Sequence, residues 1–599
     1  MDRKNLNPQQ QSAAEAPNKP LLIVAGAGTG KTRTLTSRLI HLIEKGARAD
    51  KICALTFTNK AAREMLLRIE KLLARSQKPL ISTFHSLGAK ILREEAGLLE
   101  RNSRFVIFDD QDSMSLLRKI VKAAGLKNLD MGPAYFSQKI SGIKNGKIAL
   151  NELRKSESPE DKAIVQVFMR YESDLAKNNA FDFDDLIEKV VKIFKSHPAV
   201  LQKYERRFPY LLIDEYQDLN NKQYELIKLL AGKTGNLSVV GDDQQMIYGW
   251  RYANLNIFLN FEKDWPGSRV ALLEENYRST QNIITAASTL IQNNKYQKPK
   301  NLWTKNPKGG QIKISEVESA EEEATLVTEQ IRNSCLAGRQ AKLEIRNYTA
   351  AILYRTNAQS RPIEQALLEE NIPYQIFGGV RFYERREIKD VLAALRYALN
   401  PENEISRDRL AKTFSKTKFL ELRENLLRKP ELSPLKLIQF FIKASDYFGY
   451  LEKNFVNATE RKENIAELMT FASKFEDLAI FLEQVSLVQP TDAIAKNKTV
   501  HLMTIHLAKG LEFDRVFVVG CSEGLLPHAR SLKDEAELEE ERRLMYVAMT
   551  RAKKELSLSF YDLPSRFLLE LPPELIEFRS SISENSVLED NEERYITLD

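Results

Sequence analysis

The stretch "LLIVAGAGTGKTRTLTSRLIHLI", Leu21 to Ile43, decides the fold. It opens as a short continuous apolar run, passes Gly26, Gly28 and Gly30, and continues with helical spacing. A buried strand, a glycine-rich turn and a helix in that order are the context of a phosphate-binding loop. Its glycines let backbone N–H groups curl around phosphate oxygens at a helix N-terminus. Read so, the loop runs through Ala25, Gly26, Ala27, Gly28, Thr29, Gly30, Lys31 and Thr32. Lys31 then reaches the β- and γ-phosphates of ATP, and the Thr32 hydroxyl binds Mg2+. Ala25 stands where the strict pattern has glycine, and a glycine turn beside a lysine is the competing reading.

Working outward, "LLIDEYQD", Leu211 to Asp218, supplies a partner for that loop. An apolar strand ending in two acids sets both carboxylates at its C-terminal edge. Such a pair is either a solvated strand end or, beside a phosphate loop, a catalytic pair. In the second reading Asp214 holds Mg2+ and Glu215 orients and deprotonates the attacking water. Near-continuous apolar runs also begin at Leu21, Lys51, Ile81, Tyr210 and Leu237, and again at Thr349, Val500, Arg515 and Glu555. Runs of this kind suit parallel sheets covered on both faces, so two α/β sheets are expected. Ser86 to Asn179 and Glu387 to Lys498 read as helical, one insertion per sheet.

The chain has 599 residues, too many for one core, so about three to five domains are expected. A net charge of +7 favours a polyanionic partner only weakly. Cys53, Cys335 and Cys521 are too few and scattered for a disulfide framework or a cysteine-rich zinc site, which suits a reducing, cytoplasmic setting. The N-terminus "MDRKNLNPQQQ" has no apolar core for a signal peptide, and no run approaches the roughly 18 apolar residues of a membrane span, so no membrane role is expected. The C-terminal "SENSVLEDNEERYITLD" is acidic and aperiodic.

A second segment, "VVGDDQQMIYGWRYA" from Val239 to Ala253, carries acids and amides at one end and Tyr248, Trp250 and Arg251 at the other. Taken alone, the two rings read as core aromatics or as a stacking surface. Phe57, Phe84 and His85 share that ambiguity. An ATPase also needs positive charge beyond the γ-phosphate, and Arg278 and Arg551 are candidates that spacing cannot select from 89 basic residues.

With these residues assembled, the chain resembles the superfamily 1 type A DNA helicases, the UvrD/PcrA/Rep group, from Leu6 to about Phe567 and with the motifs in family order. "LNPQQQSAA" is similar to the adenine-reading glutamine motif, which makes Gln10 the glutamine; "AGAGTGKTR" places Arg33 near the base. "LTFTNKAAREM" and "STFHSLG" resemble segments that touch single-stranded DNA, with Phe57, Thr83 and His85 as contacts. "LEENYRST" implies that Tyr277 stacks on adenine and Arg278 meets the γ-phosphate. "TIHLAKGLEFDRVFVVG" implies DNA contacts at Thr504 and His506, with Glu512 near the ribose or γ-phosphate. "RRLMYVAMTRAKKEL" implies Arg551 as an arginine finger. The resemblance implies that Gln245 senses the γ-phosphate while Tyr248, Trp250 and Arg251 meet DNA, with Trp250 stacking on a base.

The resemblance implies an ATP- and Mg2+-dependent helicase that moves 3′ to 5′ on single-stranded DNA and unwinds 3′-tailed duplex, acting in repair, replication or recombination. Monomer or DNA-dependent dimer is the expected state, with repair or replication proteins as partners. The expected fold is α/β: two RecA-like parallel-sheet motor domains, each with a mainly helical insertion. The first motor domain takes residues 1–87 and 180–272, its insertion 88–179. The second takes 273–386 and 499–570, a shortened insertion 387–498, and a disordered acidic tail 571–599. Gln244, Met246, Tyr252 and Leu507 depart from the family pattern. The short second insertion and missing C-terminal extension keep a rival open: a translocase that displaces proteins and unwinds weakly by itself.

Overall fold

The computed structural model describes residues 6–581 apart from 71–77, 102, 104, 109, 126–130, 233–234, 337–348, 378–384, 400, 402–403, 428–431, 479–480, 483–484 and 486–498. The chain divides into two compact units. The first holds Met1–Tyr277, Asn294–Lys305 and Lys453–Val456; the second holds Arg278–Asn293, Asn306–Glu452 and Asn457–Asp599.

In the first unit the strands are β1 Leu21–Ala25, β2 Ile52–Thr56, β3 Leu80–Thr83, β4 Val106–Phe108, β5 Ala180–Asp182, β6 Tyr210–Ile213, β7 Leu237–Gly241, β8 Arg269–Leu273, β9 Glu275–Asn276 and β10 Trp303–Thr304. Among the described residues, six of them form one parallel sheet in the order β3-β2-β6-β7-β1-β8. Its apolar strands lack a polar alternation because both faces are covered. Leu21, Ile23 and Ala25 pack with Leu35, Leu39 and Leu42 of the helix Lys31–Glu44. Leu22 and Val24 point the other way, into a cluster with Phe84, Leu87, Val190 and Leu226. Successive strand side chains alternate between faces, so a strand buried on both must be apolar throughout. The strand β8 escaped the sequence reading because it is an edge strand with an exposed first residue.

The helices Asp110–Ala123, Pro133–Lys144 and Pro159–Lys177 enclose a separate small core of Leu117, Phe136, Ile140, Ile164, Val167 and Leu175. This is the first insertion, and β4 pairs with β5 beside it. The expected boundary at residue 88 falls inside the helix Phe84–Glu95, whose Phe84, Leu87 and Leu92 belong to the sheet core.

The second unit contains β11 Ile312–Glu316, β12 Ala350–Tyr354, β13 Tyr374–Ile376, β14 Val500–Thr504, β15 Phe513–Val518, β16 Ala552–Phe560 and β17 Ile576–Ser580. They form a second parallel sheet in the order β13-β14-β12-β15-β16-β11-β17. Helices Ala320–Leu336 and Ser360–Glu369 cover one face through Val327, Ile331, Ile363 and Leu367. Among the described residues from Arg386 to Ala472 the elements are all helices, and the rings of Phe414, Phe441, Tyr447 and Tyr450 pack together there.

Two expected boundaries need correction. The tail does not begin at 571: β17 pairs in parallel with β11 from Ile576 to Ser580. Residues 582–599 lie outside the described residues. Five residues at a sheet edge, three of them exposed, leave little periodic signal. The second motor segment is also not continuous from 273, because β8 and then Asn294–Lys305 belong to the first unit. There β10 pairs with β9, and Lys300 is buried between two aspartates.

Candidate functional site

The phosphate loop leaves β1 and enters the helix Lys31–Glu44 through two left-handed residues, Gly28 at φ +67° and Gly30 at φ +84°. A side chain disfavours that conformation, so these two positions require glycine for the turn. At Gly26 a Cβ would meet the tip of the Leu302 side chain at 2.0 Å, so a larger residue there requires Leu302 to shift. The loop carbonyls are tied to neighbouring donors. Asn276 Nδ2 donates to Ala27 O at 2.7 Å, Tyr277 N to Gly28 O at 3.0 Å, and Gln10 Nε2 to Thr29 O at 2.8 Å. Thr29 Oγ1 donates to Gly26 O at 2.9 Å. The loop is thus held from outside.

Gln10 is buried in the first turn of Pro8–Ala14, where it completes a capping box with Asn7. Asn7 Nδ2 donates to Glu275 Oε2 at 3.0 Å and to Tyr277 Oη at 2.8 Å, and Tyr277 Oη donates to Glu275 Oε2 at 2.8 Å. Tyr277 is therefore anchored at its hydroxyl while half of its surface stays exposed. A tethered ring with an open face suits stacking on a planar base. Arg33 is exposed on the first turn after the loop.

Below the loop, Thr32 Oγ1 donates to Asp214 Oδ2 at 2.9 Å. Burial, together with the neighbouring Glu215 charge, pushes the Asp214 carboxyl up to about 7. A bound cation would favour the ionised form, so Thr32 and Asp214 fit a divalent ion. Among the described residues no group of three or more His, Cys, Asp or Glu could hold a metal by itself. Glu215 has φ +52°, a strained setting for a side-chain-bearing residue. Its Oε2 accepts from Gln217 Nε2 at 2.6 Å, and Gln217 Oε1 accepts from the Asp242 backbone N at 2.9 Å. Asp242 Oδ2 in turn accepts from Gln245 Nε2 at 2.6 Å. Gln217 is fully buried and bridges the two acidic segments. The sequence reading missed it. An amide two residues after the Asp-Glu pair was the available signal, and only its position between segments gives it meaning.

The segment then carries on to the rings. Phe57 and Tyr248 lie parallel, 1° apart in plane, with centroids 6.1 Å apart. Trp250 is 6.4 Å from Tyr248 and 60% exposed, with the Arg251 guanidinium 4.5 Å from its ring centre. His85 sits 6.0 Å from Phe183, a half-exposed ring that the sequence reading did not single out. Phe84, by contrast, is buried in the core. Thr83 is also buried, its hydroxyl capping the helix Phe84–Glu95 by accepting from Ser86 N at 3.2 Å. That cap explains Thr83 without any ligand. Tyr252 takes φ +66° and donates from its hydroxyl to Gln138 O of the first insertion at 2.9 Å.

In the second unit, Arg278 Nε donates to Glu512 Oε2 at 2.9 Å and Nη1 to Thr550 O at 3.0 Å. Lys553 Nζ meets Glu512 Oε1 at 2.7 Å. Burial works against the Glu512 charge, but Lys553 and Arg278 hold its carboxyl below the usual range. Arg551 is buried and donates to Val547 O at 2.9 Å, Leu511 O at 3.2 Å and Thr550 Oγ1 at 3.1 Å. Arg278, Glu512 and Arg551 thus gather at the C-terminal end of the helix Glu535–Met549. Thr504 ends β14, and His506 follows it in the short helix Ile505–Ala508; both are half-buried. Among the described residues no helix is long and apolar enough to cross a membrane.

Residues 6–266 match the model of the UvrD/REP helicase N-terminal domain. Residues 271–460 and 450–562 match that of the UvrD-like helicase C-terminal domain. The ATP-dependent DNA helicase PcrA of Bacillus subtilis is 39% identical over 96% of this chain and 86% of its own length. PcrA of Staphylococcus epidermidis is 36% identical over 96% of this chain and 87% of its own. A solved C-terminal domain of a possible DNA helicase from Lactobacillus aligns with 50% of this chain and 98% of its own at 14% identity and a TM-score of 0.24, too low to bear on the fold.

Proposed function

This chain belongs to the UvrD/REP helicase family, and from that premise we propose that it is an ATP-dependent DNA helicase that moves 3′ to 5′ along single-stranded DNA and unwinds 3′-tailed duplex. One observation carries the reading. A continuous hydrogen-bonded path runs Thr32–Asp214–Glu215–Gln217–Asp242–Gln245, and the same backbone segment goes on to Tyr248, Trp250 and Arg251. Phosphate chemistry and base stacking therefore share one element.

In this account the loop amides, Lys31 and Thr32 hold the phosphates, and Gln10, Arg33 and Tyr277 hold the base. Thr32 and Asp214 would hold Mg2+, which supplies charge neutralisation on the phosphate oxygens when bound. Glu215 takes the proton of the attacking water, and Gln217 fixes the Glu215 carboxylate for that task. Gln245 senses the γ-phosphate, and Arg278 and Arg551 supply positive charge to the transferred group. Engaging phosphate would require Arg551 to exchange its bonds to Leu511 and Val547. Phe57, His85, Tyr248, Trp250 and Arg251 of the first unit would grip the strand, and Thr504 and His506 are proposed as DNA contacts of the second unit. Stacking is worth about 1–3 kcal/mol per base and tolerates any sequence, which suits a motor that passes every base. Work in DNA repair or replication, in the cytoplasm, follows as part of the proposal.

The test is phosphate release with and without a single-stranded oligonucleotide. Lys31→Ala is expected to lower DNA-stimulated turnover by about 10³-fold or more. Retained turnover would defeat the site assignment.

A further inference from the structure

Asn294–Lys305 lies in the first unit, although the chain on both sides of it, Arg278–Asn293 and Asn306 onward, belongs to the second. This short excursion is bonded along the sensor segment. Gln244 Nε2 donates to Gln297 Oε1 at 2.6 Å, and Lys298 N donates to Asp243 Oδ2 at 2.7 Å. Lys300 Nζ donates to Asp242 Oδ1 at 2.7 Å and to Asp243 Oδ1 at 2.6 Å, with all three side chains 0% exposed. Burial opposes the charge on Lys300 and on Asp242 alike. The aspartates nevertheless hold the ammonium above its usual range, and Lys300, with Lys31, holds the Asp242 carboxyl below its own.

A dry ion cluster gives little net stability relative to apolar packing of the same volume, because desolvation offsets most of the attraction. What it does supply is orientation. The Asp242 carboxylate is planar. With Oδ1 held by Lys300 and by Gln244 N at 3.2 Å, the carboxylate is turned so that Oδ2 takes the Gln245 amide. The amide is donated through Nε2, so the Gln245 carbonyl oxygen is set as well.

We propose that Lys300 is a positioning residue for ATP hydrolysis: by fixing the Asp242 carboxylate it sets the Gln245 amide in the orientation from which the γ-phosphate is read. The proposal rests on the reading of Gln245 as the phosphate sensor. Lys300 acts through Asp242 and touches no reacting atom.

The test is steady-state ATPase of the full chain, with and without a single-stranded oligonucleotide, with kcat normalised to sites titrated by a fluorescent ATP analogue. Lys300→Met alone removes the ammonium bonded to both buried carboxylates and is expected to melt early. Lys300→Met/Asp243→Asn keeps the net charge of the cluster and is the variant that decides. It is expected to lower DNA-stimulated kcat at least ~10-fold while the ATP KM moves less than ~3-fold, a change in transition-state rather than ground-state interaction. Adding Gln245→Ala to that variant is expected to lower kcat by no further than ~2-fold, because both changes act through one amide. Losses that multiply, or a parental kcat in Lys300→Met/Asp243→Asn, would overturn the proposal and leave the sensor reading standing. A parental kcat in Gln245→Ala alone would overturn the sensor reading, and the proposal with it.

Discussion

Trp250 leaves 60% of its surface in solvent, yet Arg251 and Tyr248 hold it in place. Its neighbour in the fold, Tyr248, stands parallel to Phe57. Rings kept in order without being fully buried suit stacking on a flat partner, which is the role proposed for them. Trp250→Ala is therefore expected to weaken single-stranded DNA binding about 5- to 100-fold and to remove DNA stimulation of the ATPase, with nucleotide binding preserved. Fluorescence anisotropy of a labelled oligonucleotide and phosphate release check both halves, and equal stimulation in variant and parent would count against the coupling. A second residue tests the second unit. Glu323 is fully buried, accepting from Gly520 N at 2.8 Å, and burial pushes its carboxyl from 4.5 up to about 7. Its folded value lies above the unfolded one, so the folded chain keeps the proton longer. Stability then falls as pH rises from about 4.5 to 7, by up to about 3 kcal/mol. Glu323→Gln keeps the acceptor and removes the titration. It is expected to flatten the melting-temperature profile across that window and to raise the melting temperature at pH 8; an unchanged slope would contradict the assignment.

At the scale of elements, the "STFHSLG" run shows how packing and binding share one helix. Its glycine, Gly88, stands where a Cβ would lie 2.0 Å from the Leu186 carbonyl oxygen, on the helix Asp185–Ser196. Backbone cannot move aside as a side-chain tip can. Gly88→Ala is expected to cost about 1–3 kcal/mol by overpacking and to lower the melting temperature by at least ~2 °C. A melting curve that overlays the parent's would show that the helices separate freely. The same comparison explains what was legible in the sequence. Strands buried on both faces, such as Leu21–Ala25, announce themselves as apolar runs, and the loop after them announces itself by glycines. Edge strands such as Arg269–Leu273 and Ile576–Ser580 do not. Phe84 and Trp250 look alike as letters; only tertiary packing puts the first in the core and the second in solvent. Gln217 sits inside "LLIDEYQD" and Lys300 in no motif read from the sequence, and both take their roles from distant segments that meet around them.

For the molecule as a whole, there are two parallel sheets with helical insertions and a phosphate loop on the first, and the segment that bonds Asp242 to Gln245 runs on to partly exposed rings; the proposed function makes of this a motor that converts phosphate state into hold on a strand. Such a motor must be ATP-fuelled and directional. The most direct measurement is unwinding of one duplex sequence bearing a 3′ or a 5′ single-stranded tail, with and without ATP. Strand separation on the 3′-tailed duplex alone, and only with ATP, is the predicted result. Separation from the 5′ tail, or separation without ATP, would contradict the account.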